Sequence, residues 1–133
     1  MPMFQSILFS FACFGLSFGA LARLKSFGQA SLSLILLGGV AFFLHEGGRQ
    51  TADLPLAFYM LASVIFIFFY YQEKRSVLIA FAGLTAGLAA WTKNEGVLFL
   101  FVSGTIIIIA ELRTRSFQSL YVYFAGLLLP LAI

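Results

Sequence analysis

Polar residues interrupt this chain at short, regular intervals, and between them lie six charge-free apolar stretches at 4–22, 29–44, 54–71, 76–91, 96–110 and 116–133. About 20 apolar residues in helical form cross the hydrocarbon core of a bilayer. The stretch between Asp53 and Glu73 holds 19 uncharged residues and reads most directly as a span. The stretch between Glu95 and Glu111 is the shortest, with 15, at the low edge of spanning length. A bilayer interior offers backbone amides no water, so a chain of this pattern satisfies them within helices. The pattern predicts an all-α fold: a polytopic transmembrane helix bundle of about six spans, forming one bundle over 1–133.

Glycine and alanine set the expected packing. Gly15 and Gly19 form a small-xxx-small pair in the first span, and Gly38-Gly39 marks a packing or kink site in the second. The fourth span carries Gly83 and Gly87 among Ala80, Ala82, Ala86, Ala89 and Ala90. Small residues let helix backbones approach closely where no hydrophobic force drives them together. The 76–91 helix is therefore expected at the centre of the bundle. Tyr70-Tyr71 falls where an interfacial aromatic belt belongs.

Composition sharpens the class. Hydrophobic residues make up 62% of the chain and charged residues 10%, with a mean hydropathy of +1.03. A water-soluble domain is about a quarter charged, so these residues read as an integral membrane protein. The net charge of +3 does not point to nucleic acid, because the basic residues are scattered in pairs between apolar blocks. The single Cys13 forms no internal disulfide and says nothing of compartment. Met1-Pro2-Met3-Phe4 has no basic region of the kind that opens a signal peptide.

Loop charge predicts orientation. Alternating spans place Arg23, Lys25, Lys74, Arg75, Arg113 and Arg115 on one side and only Arg49 and Lys93 on the other. The positive-inside rule makes the first side cytoplasmic. The N-terminus then lies outside, which fits a chain preceded by at least one further span. The apolar ending Leu129-Pro130-Leu131-Ala132-Ile133 reads the same way, as part of a larger membrane protein.

Two polar loops share the expected outer side. One is His45-Glu46-Gly47-Gly48-Arg49-Gln50-Thr51-Ala52-Asp53, and the other is Thr92-Lys93-Asn94-Glu95. Asp53 at the head of a helix is cheap to keep as a cap, since a carboxylate there accepts from first-turn amides. Pro55 is at home in that turn, where its missing N–H costs nothing. Glu46 with Arg49 reads as a surface pair worth little, Lys93 with Glu95 as a solvated turn between two helices, and His45 as a helix-end residue. Together these residues gather carboxylates and cations on one face of a charge-poor bundle, the pattern of a site near the membrane interface. No nucleophile elbow, phosphate-binding glycine loop, dinucleotide fingerprint or metal-spaced Cys/His cluster is present in the sequence.

Thr51-Ala52-Asp53-Leu54-Pro55-Leu56-Ala57-Phe58, followed by Gly83-Leu84-Thr85-Ala86-Gly87-Leu88-Ala89-Ala90-Trp91-Thr92-Lys93-Asn94-Glu95-Gly96, resembles the membrane-embedded glycosyltransferases of the GT-C class. The nearest group is the protein mannosyltransferases and aminoarabinose transferases, in which Asp-x-Pro opens a span and a Gly/Ala-rich span ends in Thr-Lys. The likeness covers residues 45–100. It implies transfer of a sugar from a polyprenyl-phosphate donor to an acceptor at the outer face of a cell (inner) membrane. By that analogy Asp53 is the catalytic candidate, and Lys93, with Glu95 and Arg49 at its rim, meets the donor. A lysine serves as a point-charge phosphate binder, and a carboxylate beside it acts as a base, holds a divalent cation or orients a hydroxyl. A divalent metal is the one cofactor so implied. The family's principal acidic residue stands in a first outer loop that this sequence lacks. The resemblance therefore names no general base here and implies activity only with a further segment. Two other readings remain: a transporter or flippase fragment for a lipid-linked or polar solute, and a structural membrane subunit.

Overall fold

The computed structural model describes residues 2–40, 53–114 and 118–132. They form six α-helices, with no strand among the described residues: α1 (Pro2–Leu24), α2 (Phe27–Gly39), α3 (Asp53–Glu73), α4 (Ser76–Thr92), α5 (Asn94–Thr114) and α6 (Gln118–Leu131). The all-helical reading holds. Three helices, α1, α3 and α5, are long and apolar enough to cross a membrane. At 1.5 Å per residue, the 13 residues of α2 rise about 20 Å, short of a hydrocarbon core of about 30 Å.

Helix ends differ from the expected spans for local reasons. α2 starts at Phe27 because Ser26 caps it, its Oγ accepting from the Gln29 amide at 3.4 Å. Capping of this kind fixes where a helix begins. The expected end of that span, 41–44, lies outside the described residues, as does 115–117. α5 is longer than the 15-residue stretch suggested: Asn94 and Glu95 open it and Glu111 lies within it. Charges at helix ends are compatible with helix, so a charge-free window underestimates its length.

The chain divides into two compact units, Met1–Phe58 and Tyr59–Ile133. In the first, Cys13, Ala20 and Ala30 are buried. Phe18 packs edge-on against Phe27 at 5.4 Å between centroids, and Phe9 meets Phe58 at 5.5 Å. Gly38 lies against the Phe14 ring at ordinary contact distance. Gly15 and Gly19 do not serve as the expected close-approach pair, since a Cβ on either meets no atom of the described residues within 4 Å.

In the second unit α4 is the packed helix, as its small residues foretell. Ile79, Ala82, Gly83, Thr85, Ala86, Gly87 and Ala89 are buried. A Cβ on Gly83 would strike the Tyr123 carbonyl, and one on Gly126 the Ala80 carbonyl. A Cβ on Gly87 would come within 2.6 Å of the Pro130 ring and 3.0 Å of the Leu127 carbonyl. These contacts advance together along both helices, so α4 and α6 run parallel with their N-termini at the same end. Ile79, Ala82, Ala86, Ile107, Tyr123 and Leu127 form the core.

Hydroxyls inside these helices return to backbone carbonyls. Ser10, Ser31 and Thr105 each donate to the carbonyl four residues earlier. Ser63 instead reaches across to the Ala82 carbonyl at 3.0 Å. Small residues such as Ala30, Ala62, Ala82 and Ala86 are buried beside Ile79, Ile107 and Tyr123, while Phe4, Phe11, Phe27, Ile35, Leu98 and Phe101 are each 67–72% exposed.

Candidate functional site

The turn between α4 and α5 is only as long as one non-helical residue, Lys93, which sits extended at φ −163°, ψ 157°. Its N–H donates to the Ala89 carbonyl at 3.4 Å, and its own carbonyl accepts from the Gly96 amide at 2.9 Å. Thr92 Oγ1 donates to the Leu88 carbonyl at 2.7 Å and closes the last turn of α4. So abrupt a reversal brings the start of α5 against the end of α4, and a Cβ on Gly96 would collide with the Ala89 carbonyl. Glycine at 96 is therefore demanded by backbone approach. Every residue of Thr92-Lys93-Asn94-Glu95-Gly96 thus has a part in, or lies on, one tight corner.

The corner presents its charges outward. Lys93 Nζ lies 3.5 Å from Glu95 Oε1, with the two side chains 42% and 60% exposed. An exposed pair of this kind contributes between nothing and about 1 kcal/mol. Trp91, 68% exposed, stands beside this corner, as an indole does at a membrane–water boundary.

Asp53 is the first residue of α3, with Pro55 in the same first turn. An exposed carboxylate there complements the positive end of the helix dipole. Asp53 belongs to the first unit, and Lys93 and Glu95 to the second. Arg49 lies outside the described residues, together with His45 and Glu46. The structure thus brings Lys93 and Glu95 together. Among the described residues no three His, Cys, Asp or Glu side chains form a metal-holding group.

One charged residue escaped the sequence reading. Glu111, expected in a loop, is within α5 and only 3% exposed. The signal was present: Ser103, Ile107 and Glu111 recur at helical spacing, and all three are buried. An apolar cavity of about 250 Å³ is lined by Val64, Ile67 and Phe68 of α3 and Phe99, Val102 and Ile106 of α5, with Tyr71 and Ser103 completing its wall.

No protein-family model, curated protein or solved structure matches the chain.

Proposed function

We propose that the chain is a multi-pass membrane protein of the GT-C glycosyltransferase type, part of an enzyme that transfers a sugar from a polyprenyl-phosphate donor at the outer membrane face. Membrane embedding is supported by three apolar helices of spanning length and by large apolar side chains facing outward over a small-residue interior. Aromatic residues mark the two ends of the second unit, Trp91 at one and Tyr70, Tyr71 and Tyr121 at the other. The shorter helices complete about six membrane-embedded elements in a cell (inner) membrane.

The observation that carries the enzymatic reading is the α4–α5 corner. It holds an exposed lysine, weakly paired to Glu95, at the aromatic-flanked end of a tightly packed helix pair. A phosphate headgroup at that depth meets a fixed cation, and the apolar cavity of α3 and α5 offers room for an isoprenoid chain. Asp53 supplies a carboxylate at a helix head for acceptor orientation, proton transfer or a divalent cation. The test is transfer from a radiolabelled polyprenyl-phosphate sugar by the full-length enzyme in proteoliposomes, with and without substitution of Lys93. Unchanged donor use in Lys93→Ala removes this reading.

A transporter or flippase for a lipid-linked solute is the second reading, favoured by Glu111. A carboxylate buried in a membrane-length helix is a mark of a transport pathway.

A further inference from the structure

A second cluster of polar groups stands at the other end of the second unit from Lys93, and it is independent of the glycosyltransferase reading. α3 ends at Glu73, and Lys74 follows with φ 55°, its N–H donating to the Tyr70 carbonyl at 2.7 Å. That left-handed conformation is uncommon for a side-chain-bearing residue. It turns the ammonium back over the rings of Tyr71 and Tyr70, at 4.9 and 5.4 Å from their centroids. Lys74 then lines a cavity of about 200 Å³ with Tyr70, Ser76, Gln118, Ser119 and Val122.

Ser76 and Gln118 are the first residues of α4 and α6. Because those helices run parallel, both N-termini open on this cavity. Arg75, at the cap position of α4, makes no side-chain capping bond. Arg75 is engaged instead with Glu73, at 3.6 Å. The decisive group is Ser119. It is 4% exposed, and its Oγ is buried with no hydrogen-bond partner among the described residues. Ser10, Ser31, Ser33 and Ser103, inside α1, α2 and α5, donate to a carbonyl three or four residues back, but Ser119 is the second residue of α6 and has no earlier turn of α6 to use. A buried hydroxyl without a partner is costly, and this one lines a polar cavity with a lysine at its wall.

We propose that this cavity binds a phosphate group, held by Lys74 Nζ, the hydroxyls of Ser76 and Ser119, and the first amides of α4 and α6. Two helix N-termini add their partial positive charge to that of the lysine. A tetrahedral anion has enough acceptor oxygens to satisfy Ser119 and several amides at once. The group comes from an anionic lipid headgroup or from free phosphate, which share this chemistry.

The experiment uses the full chain in a mild detergent and reads the thermal midpoint against ligand concentration. One probe is inorganic phosphate at constant ionic strength, with chloride as reference. The other is dioctanoyl phosphatidic acid, with dioctanoylglycerol as reference. A saturable upward shift is expected, and Lys74→Gln and Ser119→Ala are each expected to weaken apparent affinity about tenfold, the scale of one charge-assisted contact. Lys25→Gln, on the turn of the other unit, leaves it unchanged. Without ligand, Ser119→Ala is expected to be at least as stable as the parent, because it removes an unsatisfied hydroxyl. A shift from phosphatidic acid alone assigns the site to a lipid headgroup, and a shift from both probes to the phosphate group itself. No saturable shift from either probe, or a parental shift retained in Lys74→Gln and Ser119→Ala, overturns the proposal.

Discussion

Ser103 Oγ and Tyr123 OH lie 2.8 Å apart in the buried contact between α5 and α6. Ser103 Oγ also donates to the Leu100 carbonyl at 3.1 Å, which uses its one hydrogen, so the tyrosine hydroxyl donates to serine. The pair is asymmetric in consequence. Ser103→Ala leaves a fully buried tyrosine hydroxyl without its partner, whereas Tyr123→Phe leaves Ser103 bonded to its own helix.

The expected outcome is that Ser103→Ala costs about 1–3 kcal/mol and Tyr123→Phe about 0.5–1 kcal/mol. The double variant should match Tyr123→Phe within a few tenths, because the orphaned hydroxyl is then absent. Thermal or denaturant unfolding in detergent measures all three. Equal costs for the two single variants would refute the donor assignment.

Glycine positions separate packing from propensity. Gly83→Ala places a methyl against the Tyr123 backbone carbonyl, which cannot yield without moving α6. It is expected to destabilise by about 1–3 kcal/mol. Gly87→Leu is expected to disrupt the same interface, through Pro130 and Leu127. Gly15→Ala meets no described atom within 4 Å and should be neutral or gain up to about 1 kcal/mol of helix propensity. Unfolding midpoints rank the three, and a Gly83→Ala protein as stable as the parent contradicts the parallel packing of α4 and α6.

That contrast also shows what the sequence could and could not reveal. Charge-free runs bounded by polar residues located the six helices of the described residues, because helix formation in an apolar chain is dictated by backbone satisfaction. Ala80 to Ala90 exposed the α4 interface, since so dense a small-residue surface has no other use. Gly15 and Gly19 carried the same spacing without the same contact, because spacing alone does not say which face meets a neighbour. The lone-residue corner at Lys93 and the burial of Glu111 were hidden by treating charge as the end of a helix. The Lys74 turn was hidden because nothing in Glu73-Lys74-Arg75-Ser76 distinguishes a left-handed lysine from an ordinary loop residue.

Sidedness is tested within the second unit. Six basic loop residues against two predict that the Lys74 end faces the cytoplasm. In a Cys13→Ala background, Asn94→Cys should react with an impermeant thiol reagent applied outside cells. Gln72→Cys should react only after permeabilisation. The opposite labelling pattern reverses the orientation and places the Lys93 corner away from an outer-face donor.

Asp53 and Lys93 separate chemistry from architecture, each by its own substitution. Asp53 heads α3, where asparagine serves a helix start about as well as aspartate. Asp53→Asn is therefore expected to fold like the parent, within about 0.5 kcal/mol. If the carboxylate only favours the helix dipole, function is untouched. If it serves sugar transfer, loss of its charge lowers kcat by two orders of magnitude or more. Lys93 pairs only loosely with Glu95, so Lys93→Ala is expected to cost less than about 1 kcal/mol of stability. Its effect on transfer is expected in KM for the polyprenyl-phosphate donor, with a rise of about tenfold for the loss of one charge-assisted contact. Lys93→Arg should restore part of that loss, because a guanidinium also binds phosphate. Transfer assays in proteoliposomes with labelled donor measure both parameters. Parental kinetics in Asp53→Asn return that residue to the helix head, and parental KM in Lys93→Ala leaves the α4–α5 corner as a tight turn with an ornamental ion pair.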